Sequence, residues 1–181
     1  VMAQHFEKAG ARIWICDADT NHLEQSLKQH PHWNGTPCDV SDENQVDQLF
    51  KEMSDSFGGV EILVNNAGIA GPTAPVEEID PDEWRRSVGV NLNGAFYCTR
   101  LAPPLLKNSL KASIINISSV AGRLGFARRL PYASTKWAMI GFTESLAKEL
   151  GPSGIRVNAL LPGIVEGPRI EGVFQARAES E

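Results

Sequence analysis

The 181-residue sequence has no block of basic residues. Its 17 lysines and arginines are outnumbered by 22 aspartates and glutamates, giving a formal net charge of −5. Such a chain has no basic face for a phosphate backbone, which argues against nucleic acid as a partner. No apolar run reaches the length of a bilayer span, so no membrane segment is expected. The first residues are polar and helical in pattern, so no signal peptide is expected there. Cysteine is scarce: Cys16, Cys38 and Cys98 are odd in number, widely separated and without metal-ligand spacing. They read as small core residues, two in strands and one in a helix, in a reducing, cytoplasmic compartment. His30 and His32 flank Pro31 in a loop, and no metal site is expected. There is no internal repeat or low-complexity tract.

What is present is an ordinary soluble composition, 42% hydrophobic and 22% charged, at a length that suits one domain over residues 1–181. Residues 1–9 carry a helical stripe of Val1, Met2, His5, Phe6 and Ala9, closed by Gly10. Residues 11–16 read as a strand with Asp17 at its carboxyl end, 21–29 as a helix, and 33–38 as a strand followed by Asp39-Val40. Ser41 is the expected N-cap for a helix that carries Val46, Leu49, Phe50, Met53 and Phe57 at helical spacing and stops at Gly58-Gly59. Residues 60–64 read as a strand, with Asn65-Asn66-Ala67-Gly68 turning off its end. Asp80-Pro81-Asp82-Glu83 has the form of a capping box. It opens a long helix that reaches about residue 107, kinked or ended by Pro103-Pro104. A strand at 113–117, a helix at 132–150, a strand at 154–161 and a partly helical lid at 166–181 complete the chain.

Strands that alternate with helices of crossover length imply an α/β fold, a parallel sheet with helices on both faces. Ligands bind such sheets beyond the carboxyl ends of the strands. Asp17, Asp39, Asn66, Ser119 and Pro162 all fall at those ends, so they are expected on one rim.

The stretch 118–136 carries the chemistry. Ser119 follows a strand, while Tyr132 and Lys136 stand at i and i+4 on one helix face. A free phenol titrates near ~10 and transfers protons poorly at neutral pH. A nearby ammonium favours the phenolate, and a hydroxyl opposite can hold a substrate oxygen. Tyr-x-x-x-Lys alone also occurs on helices that do nothing. Here Ser119 precedes Tyr132 by thirteen residues. Asp39-Val40, Asn65-Asn66-Ala67-Gly68, Val90-Asn91-Leu92-Asn93-Gly94 and Pro162-Gly163 accompany the pattern in order.

Taken together, these motifs resemble the short-chain dehydrogenase/reductase family over nearly the whole chain, in general layout its ketoacyl-carrier-reductase branch. The resemblance implies a Rossmann-type doubly wound parallel sheet and a nicotinamide cofactor. It implies hydride exchange with a secondary alcohol or ketone. Tyr132 would supply or take the hydroxyl proton, with Ser119 on the substrate oxygen. Lys136 would assist Tyr132 and bind the nicotinamide ribose, and Asn91, unfavourable in mid-helix by propensity, would break helix bonding locally and hold a water that reaches the lysine. Asp17 would accept from the adenosine ribose hydroxyls and repel a 2′-phosphate, which favours NAD over NADP. Asp39 and Val40 would border the adenine, Asn66, Ala67 and Gly68 its ribose, and Pro162, Gly163 and Ile164 the carboxamide. The family usually has Thr five residues after this Pro, where this chain has Gly167. Family members commonly form homodimers or homotetramers through the helices matching 80–107 and 132–150, here with Phe96, Phe142 and Leu146 on their faces. Arg123, Arg128 and Arg129, just before Tyr132, are candidates to face an anionic substrate group, against a reading as solvated arginines.

The family also opens with a strand and a glycine-rich turn that cradles pyrophosphate. Neither is among these residues, and the family's last strand and helix are also absent. The chain is therefore expected to be partial, with a non-catalytic remnant or binding module as the alternative function. A Rossmann-like methyltransferase would have no use for Tyr-x-x-x-Lys. A product of these residues alone is expected to fold poorly and bind NAD weakly, because strand edges would lie unpaired. Fluorescence titration with NADH checks this, and micromolar binding by the 181-residue chain would contradict it.

Overall fold

The computed structural model describes residues 1–107 and 109–180. Its strands are β1 (Trp14–Asp17), β2 (Asn34–Pro37), β3 (Ile62–Asn65), β4 (Ser113–Ile117) and β5 (Arg156–Leu160). Its helices are α1 (Met2–Lys8), α2 (Thr20–Gln29), α3 (Glu43–Phe57), α4 (Pro81–Val88), α5 (Gly94–Leu101), α6 (Pro103–Leu106), α7 (Leu130–Leu150) and α8 (Pro168–Ser180). All strand pairs are parallel, as helical crossovers require. The expected sheet is present as two ladders, β1–β2 and β3–β4–β5. Among the described residues β1 and β3 are each paired on one side only, and both line a cavity of about 1360 Å³.

Apolar spacing builds the core. Val46, Leu49, Phe50 and Met53 are the buried face of α3. They join Cys38, Val40, Cys98, Ala102, Leu106, Ile114 and Val157 in one cluster, so α3 and α5 pack the ladders together. Cys98 is on a helix as expected, whereas Cys38 lies just past the end of β2. All three thiols are free. The hydrogen bond with Cys16, and then burial, push the Cys38 thiol far above its ordinary range. Burial pushes Cys98 up to about 12, with the Cys38 charge adding to it. Both therefore stay neutral near pH 7, as small core residues.

Several local expectations change. The N-cap of α3 is Asp42, whose Oδ1 accepts from the Asn44 and Gln45 amides at 2.9 and 3.3 Å. Ser41 instead turns back to Asp39, its hydroxyl donating to Oδ1 at 2.7 Å. Asp80 does cap α4, accepting from the Asp82 amide at 2.7 Å. The long helix expected to reach about residue 107 is interrupted. A π-turn, Gly89–Asn93, separates α4 from α5, and a break at Ala102 precedes Pro103-Pro104. Phe96 is exposed, but Phe142 and Leu146 are half-buried and Leu146 packs on the core. Gly167 has φ +148°, a conformation in which a β-branched residue would be strained, so a threonine is disfavoured at this position.

Beyond β4, a 3₁₀ turn, Val120–Gly122, is pressed onto α7. A Cβ at Gly122 would lie 2.6 Å from the Lys136 carbonyl oxygen and 2.6 Å from Ser118 Oγ. Gly122→Ala should therefore lift the turn and cost about 1–3 kcal/mol, read as a lower urea midpoint at unchanged slope. An unaltered midpoint would contradict this packing.

Candidate active site

The β3–β4–β5 register sets Asn65 beside Asn116 and Ile117 beside Leu160, so all three strands end on one rim. Beneath the rim the Asn65 amide donates to Thr99 Oγ1 at 3.0 Å and to Asn116 Oδ1 at 2.8 Å. Asn116 in turn donates to Thr143 Oγ1 at 2.9 Å. This buried polar chain joins β3, β4, α5 and α7, and its satisfied partners resist slippage of the strands.

The β4 exit wraps around Lys136. The ammonium donates to the Ile117 carbonyl at 2.8 Å, and Ser118 Oγ donates to the Lys136 carbonyl at 2.7 Å. Lys136 is only 4% exposed, the one charged side chain in the buried class among the described residues. A buried ammonium is costly without oxygen partners, so this arrangement specifies the lysine's position closely. Its Nζ lies 5.7 Å from the Tyr132 ring centroid, so phenol and ammonium share one side of α7. The Arg129 guanidinium carbon is 5.0 Å from the same centroid, and its Nη2 donates to the Ala70 carbonyl at 3.0 Å.

Ser119 Oγ accepts from the Ala121 amide at 3.2 Å, which leaves the hydroxyl proton for another acceptor. Asn91 is 2% exposed, within the π-turn. Its Oδ1 accepts from the Ile69 amide at 2.7 Å, while Nδ2 donates to the Ile69 carbonyl at 3.1 Å and Thr135 Oγ1 at 3.2 Å. The side-chain amide is thus engaged three times by protein. π-turns often accompany functional sites because they shift a helix face by one residue.

On the far wall Asp17 is exposed at the end of β1, and its Oδ1 accepts from the Asp19 amide at 2.9 Å. Asp39 Oδ1 accepts from the Ser41 amide, also at 2.9 Å. Val40 is buried, whereas Asn66 and Ala67 are exposed. The Pro162 carbonyl accepts from the Val120 amide at 3.0 Å, which draws the β5 exit to the Ser119 turn. Gly163 and Ile164 beyond it are exposed.

The same cavity of about 1360 Å³ is lined by Asp17, Asp39, Val40, Asn66, Ala67, Gly68, Ser119, Tyr132, Lys136, Pro162, Gly163 and Ile164. Asn91 is not part of its wall; it stands behind Gly68, where a Cβ would meet its Oδ1 at 3.2 Å. The cavity wall carries the carboxylates of Asp17 and Asp39 as well as the Lys136 ammonium, and it also runs along the edges of β1 and β3 left unpaired among the described residues. Of the three arginines only Arg129 lines it, while Arg123 pairs with Glu144 at 3.8 Å. Sequence reading missed Thr135, which touches Asn91 across 44 positions of chain, a separation that no local pattern reveals. Among the described residues no cluster could hold a metal ion, and no helix is long and apolar enough to cross a membrane.

Comparison with known proteins agrees with this layout. The family model described as short chain dehydrogenase matches residues 1–178. The chain is 39% identical over 180 residues to 2-dehydro-3-deoxy-L-rhamnonate dehydrogenase (NAD(+)) of Sphingomonas sp. strain SKA58, covering 99% of this chain and 72% of that protein. It resembles the crystal structure of 3-ketoacyl-(acyl-carrier-protein) reductase from Brucella melitensis complexed with NADH, with TM-score 0.90 and 33% identity, covering 98% of this chain and 75% of that one. It also resembles a gluconate 5-dehydrogenase from Burkholderia cenocepacia J2315 in complex with NADP and tartrate, with TM-score 0.85 and 30% identity, covering 96% and 69%. Against two further curated relatives the chain spans 48% and 51% of their length. The fold is accordingly a Rossmann-like α/β fold, and by model, relatives and structures alike the chain belongs to the short chain dehydrogenase family of oxidoreductases.

Proposed function

We propose that the protein carrying this chain interconverts a secondary alcohol and its ketone with NAD(H), Tyr132 acting as general acid–base. One observation supports this above the rest: a buried ammonium and an aromatic hydroxyl share one side of α7, on the cavity that Ser119 also lines. Nicotinamide, when bound, supplies the hydride acceptor or donor. Ser119 donates its remaining proton to the substrate oxygen. Tyr132 takes the hydroxyl proton from that oxygen during oxidation and returns it during reduction. Lys136 keeps positive charge beside the phenol and holds the adjoining ribose. Pro162, Gly163 and Ile164 border the carboxamide, and Asn66, Ala67 and Gly68 border the adenosine side. Asp39 and Val40 flank the adenine. Asp17 accepts from ribose hydroxyls and disfavours a 2′-phosphate, so NAD is preferred over NADP.

Exposed Phe96 on α5 and Trp137 on α7 support assembly as homodimers or homotetramers through those helices. Free, mostly buried thiols support a reducing, cytoplasmic setting.

Tyr132→Phe in the full gene product should lower kcat/KM for secondary alcohols by at least about 10²-fold without changing the melting temperature. Turnover that survives this change would end the reading.

Arg129 gives the substrate a finer definition. Its guanidinium lies against the Tyr132 ring on the cavity wall, where it can meet a substrate carboxylate. The rhamnonate named for one relative and the tartrate named for one structural neighbour are both carboxylates. Arg129→Ala should raise KM for a hydroxy acid about tenfold more than for a neutral alcohol of like size. Unaltered discrimination between the two substrates would remove the anionic assignment and leave the acid–base chemistry untouched.

A further inference from the structure

We propose that Thr135 is a positioning residue for the proton-transfer site, setting the amide of Asn91 and through it the turn after β3 that faces Lys136. This rests on the reading of Tyr132 and Lys136 given above and adds a residue to it. Thr135 is 2% exposed and does not line the cavity, so it acts through its neighbours.

A threonine hydroxyl has one proton and two lone pairs. Thr135 Oγ1 donates its proton to the Tyr132 carbonyl at 2.9 Å. Bonds from a helical threonine to the carbonyl three residues back are common and by themselves signify little. What distinguishes this one is the second bond. With its proton committed to Tyr132, Oγ1 can meet Asn91 only as an acceptor, which it does at 3.2 Å from Nδ2. That choice fixes which end of the Asn91 amide faces α7. The nitrogen then also reaches the Ile69 carbonyl, and Oδ1 receives the Ile69 amide at 2.7 Å. A flipped amide would oppose oxygen to the Ile69 carbonyl and nitrogen to the Ile69 amide, forfeiting both bonds.

Ile69 is the residue after Gly68. The Gly68 Cβ position lies 3.2 Å from Asn91 Oδ1 and 3.7 Å from Lys136 Nζ. The Asn91 clamp therefore sets how closely the Asn66-Ala67-Gly68 turn approaches the ammonium. Thr135 is also the residue immediately before Lys136, and it bonds the carbonyl of Tyr132. One hydroxyl thus ties the helix carrying the proton-transfer pair to the π-turn and to the turn of the cofactor wall. Losing it would cut the tie between α7 and the Asn91 clamp and let the turn drift relative to the helix, and displacements near 1 Å at such a site cost rate steeply.

The test uses the full gene product with Thr135→Val, which keeps the volume and removes the hydroxyl, and Thr135→Ser, which keeps the hydroxyl. Thr135→Val should lower kcat by roughly tenfold or more with substrate KM within about twofold, while Thr135→Ser stays within about threefold of the parent. In an Asn91→Ala background the Thr135→Val change should cost almost nothing further, since the two act as a unit. Equal loss in Val and Ser variants, or an undiminished loss in the Asn91→Ala background, would overturn the proposal and assign Thr135 to packing alone. If Thr135→Val does not fold, Thr135→Ala, which also lacks the hydroxyl, takes its place against Thr135→Ser and in the Asn91→Ala background, with the same outcomes deciding. Tyr132→Phe measured alongside separates the two levels. If it is inactive while Thr135→Val retains parent kcat, only the positioning role fails; if it is fully active, the acid–base reading fails.

Discussion

A lysine ammonium held out of water must be met by oxygen, and much of this site follows from that requirement at Lys136. Its partner is the Ile117 carbonyl, the last of β4, so the amine is fixed to the strand end. The following residue, Ser118, returns to bond the Lys136 carbonyl, and Gly122 packs against the same oxygen. Strand exit and helix therefore grip each other around one residue from both its ends. Moving either would strand a charge or a buried carbonyl, at a cost well above that of a surface rearrangement. Ser119 sits inside this grip and inherits its precision, its own side chain accepting from the Ala121 amide.

Legibility in the sequence followed the range of the interaction involved. The strand Ser113–Ile117 is readable to the residue because three isoleucines, Ile114, Ile115 and Ile117, stand in one short β-branched stretch. The buried face of α3 was equally plain from spacing. Its cap was misread because Ser41 and Asp42 are both good caps. The choice was made by Asp39, whose carboxylate takes the Ser41 hydroxyl. The interruption at Gly89–Asn93 does not show in the periodicity, which tolerates one extra residue per turn, but the family resemblance implies it at Asn91. The identities of Ser119, Tyr132 and Lys136 came from a family pattern, and their common cavity from the parallel register. Thr135 lay within the same short stretch, yet its second partner is Asn91, reachable only through folding. The two ladders leave β1 and β3 each paired on one side among the described residues, the unpaired edges expected where the family's first strand is not among these residues.

Among the described residues no strand pairing joins the two ladders, and helix packing connects them. That packing converges on Gly94, where a Cβ would stand 2.6 Å from Val40 Cγ2. Only a residue without a side chain lets α5 approach the β2 exit so closely. Arg100 reinforces the contact from the surface, pairing with Glu43 and Asp47 of α3 at 3.0 and 2.7 Å, although exposed pairs of this kind add little energy.

Gly94 follows the π-turn directly, so the residue that sets the Val40 contact is covalently bound to the segment that holds Asn91. From Val40 the line runs through Gly94, Asn91 and Thr135 to Tyr132, each link a close contact, a short piece of chain or a hydrogen bond. Packed interiors transmit small displacements because they have little void to absorb them. A larger side chain at Gly94 would therefore be felt at both walls of the cavity, beside Asp39 through Val40 and beside Tyr132 through Asn91 and Thr135. The site is assembled from residues far apart in sequence, but one tight helix contact sets the spacing between its two walls.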